Sequence, residues 1–579
     1  MHPLGLRGPR FYNRRVHDGR SPVPAASAAR GAGDTDVLRL TSLLQELPEE
    51  RERLLDNLGR LRRELGPITA EISDALADHM NIRRGEVHEV KEFYSFLDVP
   101  VDALRVCTGP VCESLGGKLL LAQASELAPE GLPVVEVPCL GHCDLAPVGT
   151  RGDVVLPGLT RTMLEDAIAG RPTPPVSYRA GDGPSIGLGA PDETLEAYVR
   201  RGGLDVVRSL PPTETILREL DASRLSGYGG AGFPAGTKWR AVVAEGGPRY
   251  VIVNADEGEP GTIKDRYVME LRPHLMLEGA LIAMRVAGAT QGFVYLREEY
   301  ATARARLTRA IEEFREAGLL EGVSIELVVG AGAYICGEET AMLESMEGRR
   351  GMPRLKPPFP SQVGYLGRPT LINNVETLAH VPAILRNGGE WFAGLGRDGA
   401  AGVRLWSLSG AVRRPGCYEA PNGITLRELI DDYGGGATAE VGAIVPGGAA
   451  SGILPPGALD VPLSAEALKE WGAGVGSAGV QVFPASYSPV RLLSETMRFF
   501  AEESCQKCTP CRIGNRAMHH VLEELAEGRV AMPRWQAEEW LEAMLQTSIC
   551  GLGQGAPFPM RTAFRYWPEL FAPLGDAPG

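Results

Sequence analysis

The spacing of apolar residues changes period several times along the chain, and the changes divide it into segments. Over 38–97 the period is helical, with apolar positions at 54, 55, 58, 61 and 65, and Pro67 separates the first stretch from the next. Short helices that pack on each other and on the following domain are expected there. Over 103–172 the pattern is mixed, predicting strands at 104–107, 133–137 and 153–156 and helices at 118–127 and 161–169. A Pro/Gly-rich linker spans 173–192. Beyond it, 277–287 reads as a buried helix, 292–296 as a strand, 301–317 as a charged amphipathic helix and 324–329 as a strand. Residues 403–484 read as short strands between Gly/Pro turns, with one helix at 426–433 and no chemistry of their own. From Pro489 onward the pattern is helical.

A chain of 579 residues exceeds one hydrophobic core and is expected to hold roughly three to five domains. No run approaches the ~18–20 apolar residues of a membrane span, so none is expected. The net charge of −14 argues against broad nucleic-acid binding. Residues 1–37 are rich in Arg, Pro and Gly without apolar periodicity, a disordered arm. Its composition is that of a transit peptide or of a bacterial arm that orders on a partner subunit, and the second is favoured here because only seven of the 59 basic residues are Lys, a genome-wide bias.

Eight of the ten cysteines fall into two groups. Without a secretory signal, such spacing points to metal rather than disulfides, hence to a reducing, cytoplasmic compartment. Cys107-x4-Cys112 and Cys139-x3-Cys143 follow the first two strands of the mixed segment. Four thiolates on two loops at one end of a small α/β unit match a [2Fe–2S] cluster, with structural zinc the competing reading. Cys505-x2-Cys508-x2-Cys511 with Cys550 matches [4Fe–4S], zinc again being the alternative. Cys336 and Cys417 remain, and Cys417 reads as an inert thiol.

Two further stretches carry chemistry. Gly227, Gly229 and Gly232 satisfy G-x-G-x-x-G formally, but the preceding residues are helical in pattern and Phe233-Pro234 interrupts any following helix, so a dinucleotide fingerprint is not supported. The glycines still allow close backbone approach to a ligand, and the stretch reads equally as a phosphate cradle or a surface loop. At 324–344 a strand, a glycine loop and a helix follow in order, with Glu338 and Glu339 in the first turn. Dipole capping accounts for one of them and ligand contact for the other. Phe359 lies between prolines, as a rigid aromatic platform or a core plug. Iron–sulfur centres handle single electrons, and a flavin both accepts a hydride and releases electrons singly. Hydride exchange between a nicotinamide and a flavin, then one-electron steps through the clusters, is the expected reaction; FMN and FAD are not distinguished at this point.

The segments GYGGAGFPAGTKW, NADEGEPGTIKDR, GAGAYICGEETAMLESMEG, KPPFPSQVGYLGRPTLINNVET and EESCQKCTPCR resemble the flavin-binding, NADH-oxidising subunit of respiratory complex I (51 kDa type), from about 195 to the C-terminus. Residues 38–172 resemble the thioredoxin-like [2Fe–2S] subunit of that complex (24 kDa type), and the two are fused. The resemblance implies an α/β multidomain fold: a thioredoxin-like [2Fe–2S] domain over 101–172 preceded by a helical segment over 38–100, a Rossmann-like α/β FMN/NAD domain over 193–395, a small β-grasp-like domain over 396–486 and a helical [4Fe–4S] domain over 487–579. It implies FMN held by Gly227, Gly229, Gly230 and Lys238, with Asn254, Asp256, Tyr334, Gly337, Asn373, Asn374 and Thr377 completing the pocket. Phe233, Glu257, Glu259, Glu338, Glu339 and Phe359 fall on the NAD(H) side, Phe359 by stacking, with Glu257, Glu259 and Glu339 the acids at the reacting end. Hydride transfer asks position and electrostatics of the protein rather than an acid or base. Tyr228 and Ala241 depart from the family's Arg and aromatic, which bears on adenine affinity.

The fusion resembles the diaphorase subunits of soluble NAD-dependent formate dehydrogenases and of NAD-reducing hydrogenases. SCQKCTPCRIGN and TSICGLGQ resemble the formate dehydrogenase group more. A molybdenum or tungsten formate dehydrogenase subunit, or hydrogenase subunits, carrying further iron–sulfur clusters is the implied partner. The alternatives are a nickel–iron hydrogenase diaphorase, a complex I-type NADH dehydrogenase module, and a non-catalytic relay subunit that has lost its flavin.

Overall fold

Leu54, Leu55, Leu58 and Leu61 form the buried face of the helix Leu54–Leu65, as their spacing predicts. The computed structural model describes residues 34–181, 183–189 and 193–575. Of the expected N-terminal arm, residues 1–33 lie outside the described residues and Asp34–Gln45 is helical. The part up to Pro48 is one unit; Glu49 onward forms a second, described from here on.

Helices Leu54–Leu65, Ala70–His79 and Arg84–Phe93 lead into the first sheet. They also reach past the neighbouring domain: Phe96 N and Ser95 Oγ donate to the carbonyls of Ala331 and Gly332. A Cβ on Gly332 would overlap Phe96, which explains the glycine there.

The first sheet has the order β2-β1-β3-β4, with β1 Leu104–Cys107, β2 Val134–Val137, β3 Gly149–Arg151 and β4 Val154–Leu156. β1 runs parallel to β2 and antiparallel to β3. Leu104 and Val106 enter a core with Leu120, Leu156 and Leu164, which places Arg105 and Cys107 on the opposite face. The three-residue β3 is the one strand of this sheet that the pattern did not predict.

The segment expected as linker contributes β5, Ala180–Gly181, to a distant sheet. Just after it, the amides of Ser185, Ile186 and Gly187 donate to the buried carboxylate of Glu419.

Next comes a four-stranded, wholly parallel sheet of order β8-β7-β6-β9: β6 Tyr250–Ala255, β7 Gln291–Leu296, β8 Ser324–Val329 and β9 Thr370–Asn374. The chain runs outward from β6 to β8 and returns to the other side of β6 at β9. The strand order therefore reverses between β6 and β9, where open α/β sheets form a ligand crevice at the carboxyl ends. A helix, Ala235–Val243, does follow the glycine stretch, starting directly after Pro234. Proline is tolerated at a helix start because the amide it lacks has no intrahelical partner there, so it marks the boundary instead of breaking the helix.

A mixed sheet of order β12-β13-β10-β11-β5 follows, with β10 Val403–Gly410, β11 Gly416–Pro421, β12 Val441–Val445 and β13 Gly479–Pro484. It closes over Trp406, Leu408, Leu426, Ile444 and Val480. Helices Pro489–Glu503, Thr509–Ala526, Arg534–Thr547 and Pro557–Tyr566 complete the chain. No helix among the described residues is long and apolar enough to cross a membrane.

Candidate functional site

Asn374 ends β9 in register with Asn254, one residue before the end of β6, at the reversal of strand order. Around this point the residues singled out from the sequence converge. Asn254 Nδ2 donates to Gly337 O at 2.8 Å, joining β6 to the glycine loop after β8. Tyr228 N donates to Thr377 Oγ1 at 3.0 Å, and Trp239 Nε1 to Asn373 Oδ1 at 3.0 Å, tying the stretch 227–239 to β9 and its helix. Gly229 and Gly230 are exposed, and Gly230 takes a φ of +113°. A Cβ on Gly229 would stand 3.3 Å from Asn374 Cβ, so glycine keeps the floor of the cradle open.

Charge is arranged around the cradle in alternation. Lys238 Nζ lies 2.8 Å from Glu339, and Lys356 Nζ lies 2.9 Å from Glu339 and 2.8 Å from Glu338. Burial works against ionisation of Glu339, but Lys238 and Lys356 outweigh it and hold its carboxyl at about 2. Glu338 caps the helix Glu339–Met346 through the amides of Thr340 and Ala341, both at 2.9 Å. One of the two glutamates, Glu338, thus caps the helix, and the other, Glu339, is paired with Lys238 and Lys356. Phe233 and Phe359 are each 52% exposed, available as stacking faces.

The acidic loop after β6 is held from three directions. Glu257 turns inward, accepting from Asp265 N at 2.8 Å, Arg266 N at 3.1 Å and Tyr300 OH at 2.9 Å. Burial and then Asp265 raise its pKa. Glu259 accepts from Tyr334 OH and from Ala450 N at 2.9 Å, and burial raises it as well. Asn374 is spent internally: its Oδ1 caps the helix Val375–Asn387 and takes Lys264 Nζ at 3.3 Å, while its Nδ2 donates to Asp265 at 2.6 Å. Lys264, Asp265 and Glu376 form a fully buried ionic floor beneath it, with Lys264 Nζ 3.0 Å from Glu376.

Tyr228 is buried. Its ring is buried beneath Arg404, whose guanidinium carbon lies 4.6 Å from the centroid, and its hydroxyl donates to Val403 O at 3.2 Å. Sequence reasoning missed the part played by the β-rich domain: besides Ala450, Ser477 Oγ bonds Thr262 Oγ1 at 2.6 Å and Gln481 Nε2 donates to Pro260 O at 3.1 Å. Backbone amides and single hydroxyls of this kind leave no motif.

Cys107, Cys112, Cys139 and Cys143 are buried together. Mutual contact, led by Cys112, pushes the Cys107 thiol well up, and contact with Cys107 pushes Cys139 to about 12. Four thiols buried together on two loops fit a group that takes four thiolates. Gly141 N donates to Cys139 Sγ at 3.4 Å, and Gly261 N, from the acidic loop, to Cys143 Sγ at 3.3 Å. Cys505 and Cys508 are half-buried, Cys511 and Cys550 buried, at the junction of the C-terminal helices. Asn515 Nδ2 and Ser504 Oγ each lie 3.3 Å from Cys511 Sγ. Burial lifts Cys511 to about 12 and Cys550 to about 11.

Four family models match the chain. A thioredoxin-like [2Fe-2S] ferredoxin model matches 40–171, the Nuo51 FMN-binding domain 220–383, an SLBB domain 407–448, and the NADH-ubiquinone oxidoreductase-F iron-sulfur binding region 491–573. The alpha subunit of the NAD-reducing hydrogenase HoxS from Cupriavidus necator is 35% identical over 576 residues, covering 92% of this chain and 94% of the relative. The chain belongs to the fused 24 kDa/51 kDa diaphorase family. A diaphorase of this family is an oxidoreductase subunit with FMN, [2Fe–2S] and [4Fe–4S] domains. The F 2 subunit of the NADH-quinone oxidoreductase of Rhizobium meliloti is 44% identical over 393 residues, 65% of the diaphorase chain and 93% of the relative. The crystal structure of an NAD+-reducing [NiFe]-hydrogenase in the H2-reduced state contains a chain that superposes with a TM-score of 0.81 at 30% identity, covering 92% of this diaphorase and 95% of that chain.

The residues at the crevice fit a flavin. Asp256 Oδ2 is enclosed without a hydrogen-bond partner beside Gly337, and burial raises its pKa well above the ordinary range, so its carboxyl suits a ligand hydroxyl.

Proposed function

We propose that this diaphorase binds NAD(H) over an FMN seated at the β6/β9 reversal and exchanges electrons through its clusters with a molybdenum or tungsten formate dehydrogenase subunit. FMN, when bound, supplies the conversion between a hydride and single electrons. Lys238 holds the phosphate end, while Gly227, Gly229 and Gly230 let the backbone approach it and Asn254, Asp256, Tyr334, Gly337, Asn373, Asn374 and Thr377 define the pocket. Phe233 and Phe359 sandwich the nucleotide, and Glu339, ionised between two lysines, orients its ribose hydroxyls. Glu259 sets the nicotinamide end, and Glu257 keeps the loop in shape through the amides it accepts. What supports the redox reading is the meeting of Asn254 with Gly337 and of Lys238 with Glu339 at the reversal of strand order, with the acidic loop bonded to Cys143 Sγ through Gly261 N and Tyr334 N bonded to Glu503 on the helix that leads to Cys505.

The formate preference rests on the sequence around Cys505 and Cys550. A hydrogenase partner is the second reading, favoured by the full-length likeness to the HoxS alpha chain and to the hydrogenase structure. Purification of the complex through a tag on this chain, followed by flavin, iron and metal analysis, tests both. FMN, NADH-dye reductase activity and molybdenum or tungsten are expected. Nickel overturns the formate reading in favour of hydrogenase; a colourless protein without dye reductase activity overturns the diaphorase reading.

A further inference from the structure

The helical segment ahead of the first sheet holds no cysteine, yet it grips one unit of the neighbouring domain at both ends. That unit is the glycine loop after β8, the helix Glu339–Met346 and the turn that follows. At its beginning, Phe96 N donates to Ala331 O at 3.2 Å and Ser95 Oγ to Gly332 O at 2.9 Å. At its end, Tyr94 OH donates to Arg349 O at 3.1 Å and Arg350 pairs with Glu89. Three consecutive residues, Tyr94 to Phe96, thus join the start of the unit to its finish.

The grip falls where the backbone is least ordinary. Gly332 has a φ of +79° against the Phe96 ring, and Gly348 a φ of +69° against Arg51 O; a Cβ on either would overlap that neighbour. Phe96 is itself held from behind, 5% exposed, with the guanidinium carbons of Arg105 and Arg62 at 4.9 and 5.9 Å from its centroid. Arg105 belongs to β1, so the ring is a wedge between the strand that ends at Cys107 and the glycine loop. The loop's own domain holds Gly330 through Leu296 O and Gly337 through Asn254. Between those two points, residues 331 and 332 are bonded to the N-terminal segment.

We propose that Ser95 and Phe96 are positioning residues for the flavin and nucleotide site, so that the N-terminal half sets the shape of the glycine loop as a task separate from carrying its cluster. This rests on the reading of Tyr334, Gly337 and Glu339 as members of that site. A loop already in its bound shape spares the ligand the entropy of ordering it, and the saving appears in affinity. Released from the clamp, the loop is ordered by FMN and NADH at the expense of their binding. Once both are bound the geometry is the same, and the rate at saturation is unchanged.

Ser95 is exposed, so Ser95→Ala tests the clamp without opening the core. Loss of its hydrogen bond should weaken FMN binding about fivefold, read as free-flavin fluorescence on stepwise dilution of the holoenzyme. NADH KM should rise by a similar factor, with kcat for dye reduction at saturating FMN and NADH unchanged. Phe96→Ala should weaken both at least tenfold, and Phe96→Leu should recover most of the loss. Hydrogen exchange should quicken over 331–337 in Ser95→Ala and Phe96→Ala, and the [2Fe–2S] EPR signal per chain should stay at the wild-type level. Wild-type FMN affinity, NADH KM and exchange in Ser95→Ala overturn the proposal, as does a fall in kcat at unchanged KM. A wild type that binds no FMN overturns instead the reading of the site on which the proposal rests.

Discussion

Asn254 and Asn374 stand opposite each other in register near the ends of adjacent parallel strands; Asn254 spends its amide across the crevice, on Gly337 O, and Asn374 spends its own on Asp265. Asn254→Ala removes the bond that joins β6 to the glycine loop. A net hydrogen bond of about 1.4 kcal/mol corresponds to a tenfold change in occupancy. Flavin affinity should fall by about tenfold, read as fluorescence of FMN lost on dialysis, with iron content unchanged.

Glu339 is depressed to about 2, so its ionised form contributes stability above the unfolded carboxyl value of about 4.3 and loses that contribution as pH falls toward 2. NADH affinity should therefore show no acid limb from this residue between pH 5 and about 8. Glu339→Gln should raise the NADH KM by roughly tenfold at all pH values in that range, measured by dye reduction.

Glu259 behaves oppositely. Its folded pKa is raised by burial, so its contribution is fully present below the unfolded value and is lost as pH rises through the folded one. Glu259→Gln keeps an acceptor for Ala450 N and removes the ionisation. Its thermal midpoint, relative to wild type, should improve as pH rises above the unfolded carboxyl value of about 4.3, and a difference independent of pH would contradict this.

Cysteine substitutions separate ligands from bystanders. Cys550→Ser should reduce iron from about six to about two per chain, while Cys336→Ser, at a buried thiol outside both groups, should leave about six.

Arg498 joins the helix Pro489–Glu503 to the first cluster loop, donating to Thr108 O at 3.0 Å and pairing with Glu136, Glu495 and Glu502. Arg498→Met should cost about 3 kcal/mol, since it strands partly buried carboxylates. Denaturant unfolding should show the loss, with NADH KM unaffected.

Much of this was legible in the sequence because it rests on local signals. Cysteine spacing, the alternation of β1 and the strand–glycine–helix order at 324–344 each reflect short-range geometry. What was hidden is long-range. Pro234 read as an interruption because a proline's role depends on where the helix begins. Glu257 and Glu259 read alike, though one faces amides of its own domain and the other a backbone amide nearly two hundred residues away. Lys264 and Arg266 are buried, which no periodicity announces, because each is neutralised by a partner distant in sequence.

The two halves are stitched together well away from the linker: Arg297 reaches Cys139 O, Arg266 reaches Asp144, and Gly261 N reaches Cys143 Sγ. Severing the chain near 173–176 would remove none of these bonds. Fusion into one polypeptide is thus a matter of supply rather than adhesion: each ribosome delivers both halves in equal number, already close enough to find one another.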